Sequence, residues 1–358
     1  MSKIIAILSA DWHIAPGAWR HRGIVGDAYC SLGQVVDLAV EHGAAVIAAG
    51  DLFDVDDPDP QSVGVVTSAL DRLEAAGCPF YFIAGQHEYH RLGRWLSVHR
   101  WATHLDRDPP HELAGGVKVY GIDWTPPGDL PAKLAAAPAD VDLLVLHQVW
   151  SELMGGTLGV AEGNLADVPG DATILTGDYH KVSEVFAAGN HRVLSPGPIA
   201  MQAADEPAEK YCWLLTEEGD LVAHRLATRP CIRLKLYTDD AVAAAVAAAP
   251  GILGNPDYAT LPEAIRTPLV IVEFPERLQS TPNAIRAAFP DCHHFFQPRR
   301  EATEQAASAS KKGRAGGLIE NLPEMVKQDS PTYRRLRRLL EAQQPAEELR
   351  ALKEEFFV

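Results

Sequence analysis

Five short patches carry most of the side chains able to do chemistry: Asp11-Trp12-His13, Gly50-Asp51-Leu52-Phe53-Asp54, Gly85-Gln86-His87-Glu88, His147-Gln148 and Gly177-Asp178-Tyr179-His180. They offer carboxylate, imidazole and amide oxygen but no thiolate, which is the donor set that hard divalent cations prefer. Glycine directly before Asp51, Gln86 and Asp178 lets the chain turn sharply, so that the next side chain can leave a sheet edge. Each patch alone says little. A lone Asp-x-His is more often surface than ligand, Gly-Asp is a common turn, and a single histidine after a strand is usually a satisfied core residue. What joins them is a shared position relative to the elements that must carry them.

Those elements alternate. Apolar runs predict strands at Lys3–Leu8, Ala44–Ala49, Phe80–Ala84, Val117–Ile122, Val141–Leu146 and Thr173–Thr176, with shorter pieces at Val185–Ala188 and Arg192–Leu194. Apolar residues at helical spacing predict helices over Ala28–His42 and Gln61–Ala76. Alternation of this kind is the mark of a layered α/β domain. Every reactive patch falls just after a strand, where ligands collect in α/β sheets. That placement is what one shared site would require.

In order and content the patches resemble the motifs of the calcineurin-like metallophosphoesterases, over roughly residues 5–200. Within that superfamily the chain most resembles SbcD-type DNA repair nuclease subunits. Gly50-Asp51-Leu52-Phe53, the His147-Gln148 pair, Ser195-Pro196-Gly197-Pro198 and the C-terminal appendages favour that branch. The resemblance implies a β-sandwich flanked by helices and two divalent ions, with manganese the expected metal and iron or magnesium the alternatives. It implies that Asp11, His13 and His180 hold the first ion, Asp51 bridges, and Gln86, His147 and Asp178 hold the second. His87 would lie by the scissile phosphate without binding metal. The implied activity is exo- and endonuclease cleavage of DNA beside an SbcC-like, SMC-type ATPase, in repair, recombination or replication. Two positions depart from the family. Gln86 stands where the family has Asn, one methylene longer, and Asp178 stands where it has His, adding a negative charge at the second ion.

Other residues keep two readings. Asp54 could orient a histidine or water in the catalytic site, or merely cap a loop. Arg20, His21 and Arg22 follow the first motif, and Arg91, Arg94 and Arg100 the third. They could grip phosphates as substrate-binding residues or simply face solvent, as could His90 and His99. Trp12 reads as packing.

From about Tyr211 the texture changes. Tyr211–Leu215 and Leu221–Ala227 flank a hairpin signal at Glu217-Glu218-Gly219-Asp220. Strands at Ile232–Tyr237, Leu269–Phe274 and His293–Gln297 then alternate with helices at Ala241–Ala249 and Pro282–Ala288. The expected division is a metallophosphoesterase domain over 1–205, a small α/β capping domain over 206–300, a linker over 301–317 and a C-terminal helical hairpin over 318–358. That hairpin either folds back on the body or docks the ATPase.

The net charge of −16 argues against a nucleic-acid surface built from this chain alone. Residues 301–358 carry ten basic and ten acidic side chains, so the acidic surplus lies before them. Five scattered cysteines without a Cys-x-x-Cys pair suggest reduced thiols in a cytoplasm. Lys3–Leu8 is far too short to span a bilayer, so no membrane association is expected. A homodimer is a further expectation. Two rivals to the nuclease remain: a phosphodiesterase or phosphatase acting on a small nucleotide or other phosphoester, and a scaffold whose second metal site has decayed.

Overall fold

Strands β1 (Ile4–Ser9) and β2 (Ala45–Ala49) are apolar almost throughout, so both of their faces must be covered. In β2, Val46 and Ala48 pack with the helical cluster, while Ala45, Ile47 and Ala49 join a second cluster lined by the opposite sheet. The fold follows from that requirement. The computed structural model describes residues 2–17, 24–88, 99–107, 109–154, 161–181 and 183–300.

One six-stranded sheet runs β12 (Leu221–Leu226), β11 (Lys210–Thr216), β1, β2, β3 (Phe80–Ile83) and β4 (Ala102–His104). From β1 to β4 it is parallel, and β11 and β12 close it as an antiparallel hairpin, with Leu215 opposite Leu221. The second sheet runs β5 (His111–Glu112), β6 (Lys118–Gly121), β7 (Leu143–His147), β8 (Thr173–Gly177), β10 (His191–Ser195) and β9 (Glu184–Ala188). Its four central strands are parallel. The core between the sheets is made by Leu8, Ile47 and Ile83 from one side and Val119, Val145, Leu175 and Leu194 from the other.

Helices cover both outer faces. Helices α1 (Asp27–His42) and α2 (Pro60–Ala76) bury Leu32, Val35, Val66 and Leu70 against Ile7, Phe80 and Phe82. Asp59 caps α2 by accepting the Gln61 and Ser62 N–H groups, with Pro60 at the first helical position. On the far side, α3 (Leu130–Ala136) places Leu130 and Leu134 over Leu144, Leu146 and Ile174. The layered β-sandwich with flanking helices is therefore as the motifs implied.

A third sheet, β13 (Cys231–Lys235), β14 (Leu269–Pro275) and β15 (His293–Arg299), follows with α4 (Asp239–Leu253), α5 (Glu263–Arg266) and α6 (Thr281–Ala288). Arg229 joins this region to α1. It is buried and bonds the Asp27 carboxylate through Nε at 2.9 Å and Nη2 at 2.6 Å, and also the carbonyls of Ala264 and Thr267. By internal contacts, the described residues of 2–273 and 280–297 form one compact unit, and residues 274–279 and 298–300 fall in another. Within the second unit, Glu276 N–H donates to the Arg299 carbonyl. The expected linker and helical hairpin lie outside the described residues.

Four elements have no counterpart in the sequence reading: β4, β5, α3 and α5. The two strands are three and two residues long, too short to show an alternation. In α3, only Leu130 and Leu134 are buried, and the flanking Pro, Ala and Gly mask that spacing. The 210–226 hairpin, which stands at the change of texture, pairs with β1 in the first sheet, and the small sheet begins at Cys231.

Candidate metal centre

Strands from both sheets end at one place. Asp11 and His13 follow β1, Asp51 follows β2, Gln86 and His87 follow β3, His147 ends β7, and Asp178 and His180 follow β8. The first two loops are zipped together by main-chain bonds. Asp11 N–H donates to the Gly50 carbonyl at 3.2 Å, His13 N–H to Asp51 at 2.9 Å and Ile14 N–H to Leu52 at 2.9 Å.

The backbone there is strained at the candidate ligand residues themselves. Asp11, His13, Asp51 and Asp178 have φ of 49°, 43°, 49° and 78°, a region that L-residues seldom occupy. Such strain costs on the order of 1–3 kcal/mol per residue and persists only where surrounding bonds fix it. Among the preceding glycines, only Gly50 takes a positive φ. Gly85 and Gly177 are required for space instead: a Cβ on Gly85 would lie 2.0 Å from Asp51 Oδ1, and one on Gly177 would lie 2.4 Å from the Ala49 carbonyl.

Asp51 is the hub. Its Oδ1 accepts the His87 N–H at 3.1 Å. Its Oδ2 lies 3.3 Å from His147 Nε2, 3.7 Å from His87 Nε2 and 3.8 Å from His13 Nε2. Asp11 Oδ1 accepts the Asp178 N–H at 2.9 Å and stands 3.9 Å from His180 Nε2. The Nε2 atoms of His13 and His180 face each other at 3.2 Å. Asp11, His13 and His180 can offer ligand atoms within 4.8 Å of one another, as can Asp11, Asp51 and His147.

Tautomers follow from the outer partners. His147 Nδ1 lies 2.7 Å from the Ala49 carbonyl, so it carries a proton and turns Nε2 inward. His87 Nδ1 donates in the same way to the Asp54 carbonyl at 2.7 Å. His180 Nδ1 donates to buried Glu206 at 2.9 Å. The Asp54 carboxylate is half exposed and 3.5 Å from His13 Nδ1. Asp54 thus lies against both histidines.

Electrostatics bind the cluster without relieving it. Burial opposes ionisation of Asp51, but His147, then His13 and His87, hold its carboxyl below the usual carboxylate range. Burial disfavours a charged His147, yet Asp51, Asp11 and Asp178 raise its pKa well above the ordinary value. Glu88 is driven up to about 8 by burial and then by the charge of Asp51, although it accepts the Phe53 N–H at 2.7 Å and the Gly85 N–H at 3.0 Å.

Asp11 Oδ2, Asp51 Oδ2, His13 Nδ1 and His147 Nε2 are all buried without a hydrogen-bond partner. Buried polar atoms in native proteins are nearly always satisfied. A hard cation is what carboxylate and imidazole acceptors converging in this way would take, so the donor set fits a divalent pair.

Gln86 and Asp178 meet at the rim, where Gln86 Nε2 donates to Asp178 Oδ1 at 3.1 Å. To offer its oxygen to an ion, the amide of Gln86 must turn about its terminal bond. Trp12 is buried beside Phe80 and donates to Ser9, in accord with packing. His99 pairs with Asp71, and Arg100 with Glu74 of α2. Arg20, His21, Arg22, His90, Arg91 and Arg94 lie outside the described residues. Two acids escaped the sequence reading as site components. Glu88 carries a signal, standing next to His87. Glu206 carries none.

A two-sheet α/β sandwich with carboxylates and histidines gathered at the ends of parallel strands is similar to the arrangement expected of calcineurin-like metallophosphoesterases. Sequence comparison finds relatives named DNA double-strand break repair protein Mre11, matched over part of their length. The chain is 28% identical over 234 residues to the DNA double-strand break repair protein Mre11 of Methanosarcina mazei, covering 62% of this chain and 37% of that one. It is 35% identical over 230 residues to the Mre11 protein of Sulfolobus acidocaldarius, covering 59% and 60%. The probable exonuclease subunit 1 of Escherichia phage T5 is 24% identical over 215 residues, covering 53% and 58%. The chain therefore spans well under half the length of the Methanosarcina relative. No family model matches the chain.

Proposed function

We propose that this chain is a metal-dependent DNA nuclease that hydrolyses phosphodiester bonds as an exo- and endonuclease, in the manner of an SbcD-type subunit. The observation that carries the reading is the set of buried, unpartnered donors from Asp11, His13, Asp51 and His147 converging where both sheets end. Asp11, His13 and His180 would hold one ion, Asp51 would bridge, and His147 with Gln86 and Asp178 would hold the other. Manganese is the metal proposed. Bound divalent ions would supply Lewis acidity toward a phosphate oxygen and lower the pKa of a water.

The chain's own residues do the rest. His87 is half exposed, anchored through Nδ1 to the Asp54 carbonyl, and its Nε2 faces the cluster. When protonated it can stabilise charge on the phosphate or give its proton to the leaving oxygen. Arg20, Arg22 and Arg91 are proposed to hold the DNA backbone. An SbcC-like SMC-type ATPase would dock on residues 318–358, and the assembly would be a homodimer working in the cytoplasm. No helix among the described residues is long and apolar enough to cross a membrane.

The names of the relatives support DNA as substrate. The charge of −16 favours a second reading, hydrolysis of a small phosphoester that needs no basic groove. A scaffold with a decayed site is the less economical account, because His87 keeps its anchored geometry and four donors remain without partners.

The test is cleavage of end-labelled duplex and single-stranded DNA in manganese, beside cyclic nucleotides and phosphomonoesters. Expected is DNA cleavage that falls about 100-fold or more in His87→Ala, with metal binding unchanged. Turnover of the small esters with intact DNA would move the assignment to the second reading.

A further inference from the structure

His180 does not stand alone. Its Nδ1 donates to Glu206 Oε1 at 2.9 Å, and the other carboxylate oxygen, Oε2, accepts the Gln202 N–H at 2.9 Å and the Lys210 ammonium at 2.8 Å. Glu206 is 2% exposed and Lys210 is 3% exposed. A buried carboxylate paired with a buried ammonium is costly to desolvate and holds only where its geometry is good and its remaining valences are filled. Here both oxygens are filled.

The segment carrying Glu206 is fixed from two sides. Arg233 on β13 donates to the carbonyls of Ala204 and Glu206, and Lys181, next to His180, pairs with Asp205. Two successive residues after β8 are thereby tied to two successive residues of the 205–206 turn. This buried pair lies directly beside His180. Its effect on the metal centre is specific, since a carboxylate on Nδ1–H selects one tautomer, turns the Nε2 lone pair inward and makes it more basic.

We infer that Glu206 is a positioning residue for the first metal ion, fixing His180 as an Nε2 donor, with Lys210 as its counter-charge. The inference rests on the reading of Asp11, His13 and His180 as ligands of that ion. It adds a requirement that no motif carries: the 204–209 turn, held by the small sheet, sets the affinity of one of the two sites.

The experiment is titration of the metal-free full chain with manganese, followed by calorimetry and by electron paramagnetic resonance of free Mn2+, with Glu206→Gln compared with wild type and with Gly64→Ala on the exposed side of α2. Expected is a loss of affinity of about 10–100-fold for one ion, with the other unaffected. Gly64→Ala should bind both ions as wild type does. Because Glu206→Gln leaves the Lys210 ammonium buried and unpaired, the double variant Glu206→Gln with Lys210→Met is made in parallel. It should recover the thermal midpoint but not the lost affinity. Wild-type affinity for both ions in either folded variant overturns the inference.

Should neither variant fold, 15N-histidine spectra of the wild-type chain with diamagnetic magnesium decide: His180 protonated at Nδ1 and not at Nε2 upholds it, and protonation at Nε2 alone refutes it. Wild-type protein that binds two ions yet leaves DNA intact would defeat the proposed nuclease function and not this inference. Wild-type protein that binds no ion would defeat both.

Discussion

Replacing Gly85 with alanine tests whether the site depends on backbone contact rather than on its ligands alone. The added methyl would lie 2.0 Å from Asp51 Oδ1 and 2.3 Å from the Asp51 nitrogen. To reach ordinary van der Waals separation the closer contact must open by roughly 1.4 Å. Neither side yields easily. The Asp51 oxygen is held by the His87 N–H, Asp51 itself sits at φ 49°, and Gly85 N–H is bonded to Glu88. Overpacking of this kind costs about 1–3 kcal/mol, and each kcal/mol lowers the midpoint of a chain this size by roughly 1–2 °C. The larger effect falls on the chemistry, since a displacement near 1 Å in a catalytic group can cost about 100-fold. The control is Gly64→Ala in α2, where an added Cβ meets nothing within 4 Å. That change should stabilise by roughly 0.5–1 kcal/mol through helix propensity. Differential scanning fluorimetry, manganese titration and nuclease turnover are measured on both. A Gly85→Ala protein that melts, binds manganese and turns over like Gly64→Ala would refute the reasoning.

Two other expectations concern stability. Arg229→Ala should cost about 3–5 kcal/mol in urea unfolding, because it strands the Asp27 carboxylate and two carbonyls. Arg229→Lys should recover only part of this, since an ammonium cannot make the forked contact; a loss under about 1 kcal/mol in Arg229→Ala would contradict the account. In metal-free protein, burial raises Asp178 while His147 partly offsets it, and Asp11, Glu162 and Asp51 raise it further, to about 6 from an ordinary 3.8. The folded state therefore prefers this carboxyl neutral. Its contribution is complete below pH about 4 and lost as pH rises through about 6, up to about 3 kcal/mol. Asp178→Asn should remove that loss, so the midpoint of the variant relative to wild type in chelator should rise between pH 4.5 and 7. A difference independent of pH would count against the assignment.

Much of this was legible because strand ends leave local marks. An apolar run, then glycine, then an acid can be read without any neighbour in space, and the patches after β1, β2, β3, β7 and β8 do come together. The reason for the glycines was only partly legible. Gly50 needs its unusual backbone, while Gly85 and Gly177 are small because Asp51 and the Ala49 carbonyl press on them. That closeness joins residues dozens of positions apart, and no spacing reveals it. Glu206 was hidden for the same reason, meeting His180 across a turn with no periodicity. Strands of two or three residues and a helix with two buried leucines carry too little pattern to be found at all.

The donors of the metal centre are divided between the two halves of the sandwich: Asp11, His13 and Asp51 hang from one sheet, and His147, Asp178 and His180 from the other. Cations lodged there would act as a rivet through the seam, and their removal would leave carboxylates repelling one another across it. Metal occupancy would then be felt beyond the reaction, as a slowing of amide exchange along the last residues of β1, β2, β7 and β8, while the opposite ends of those strands breathe as before.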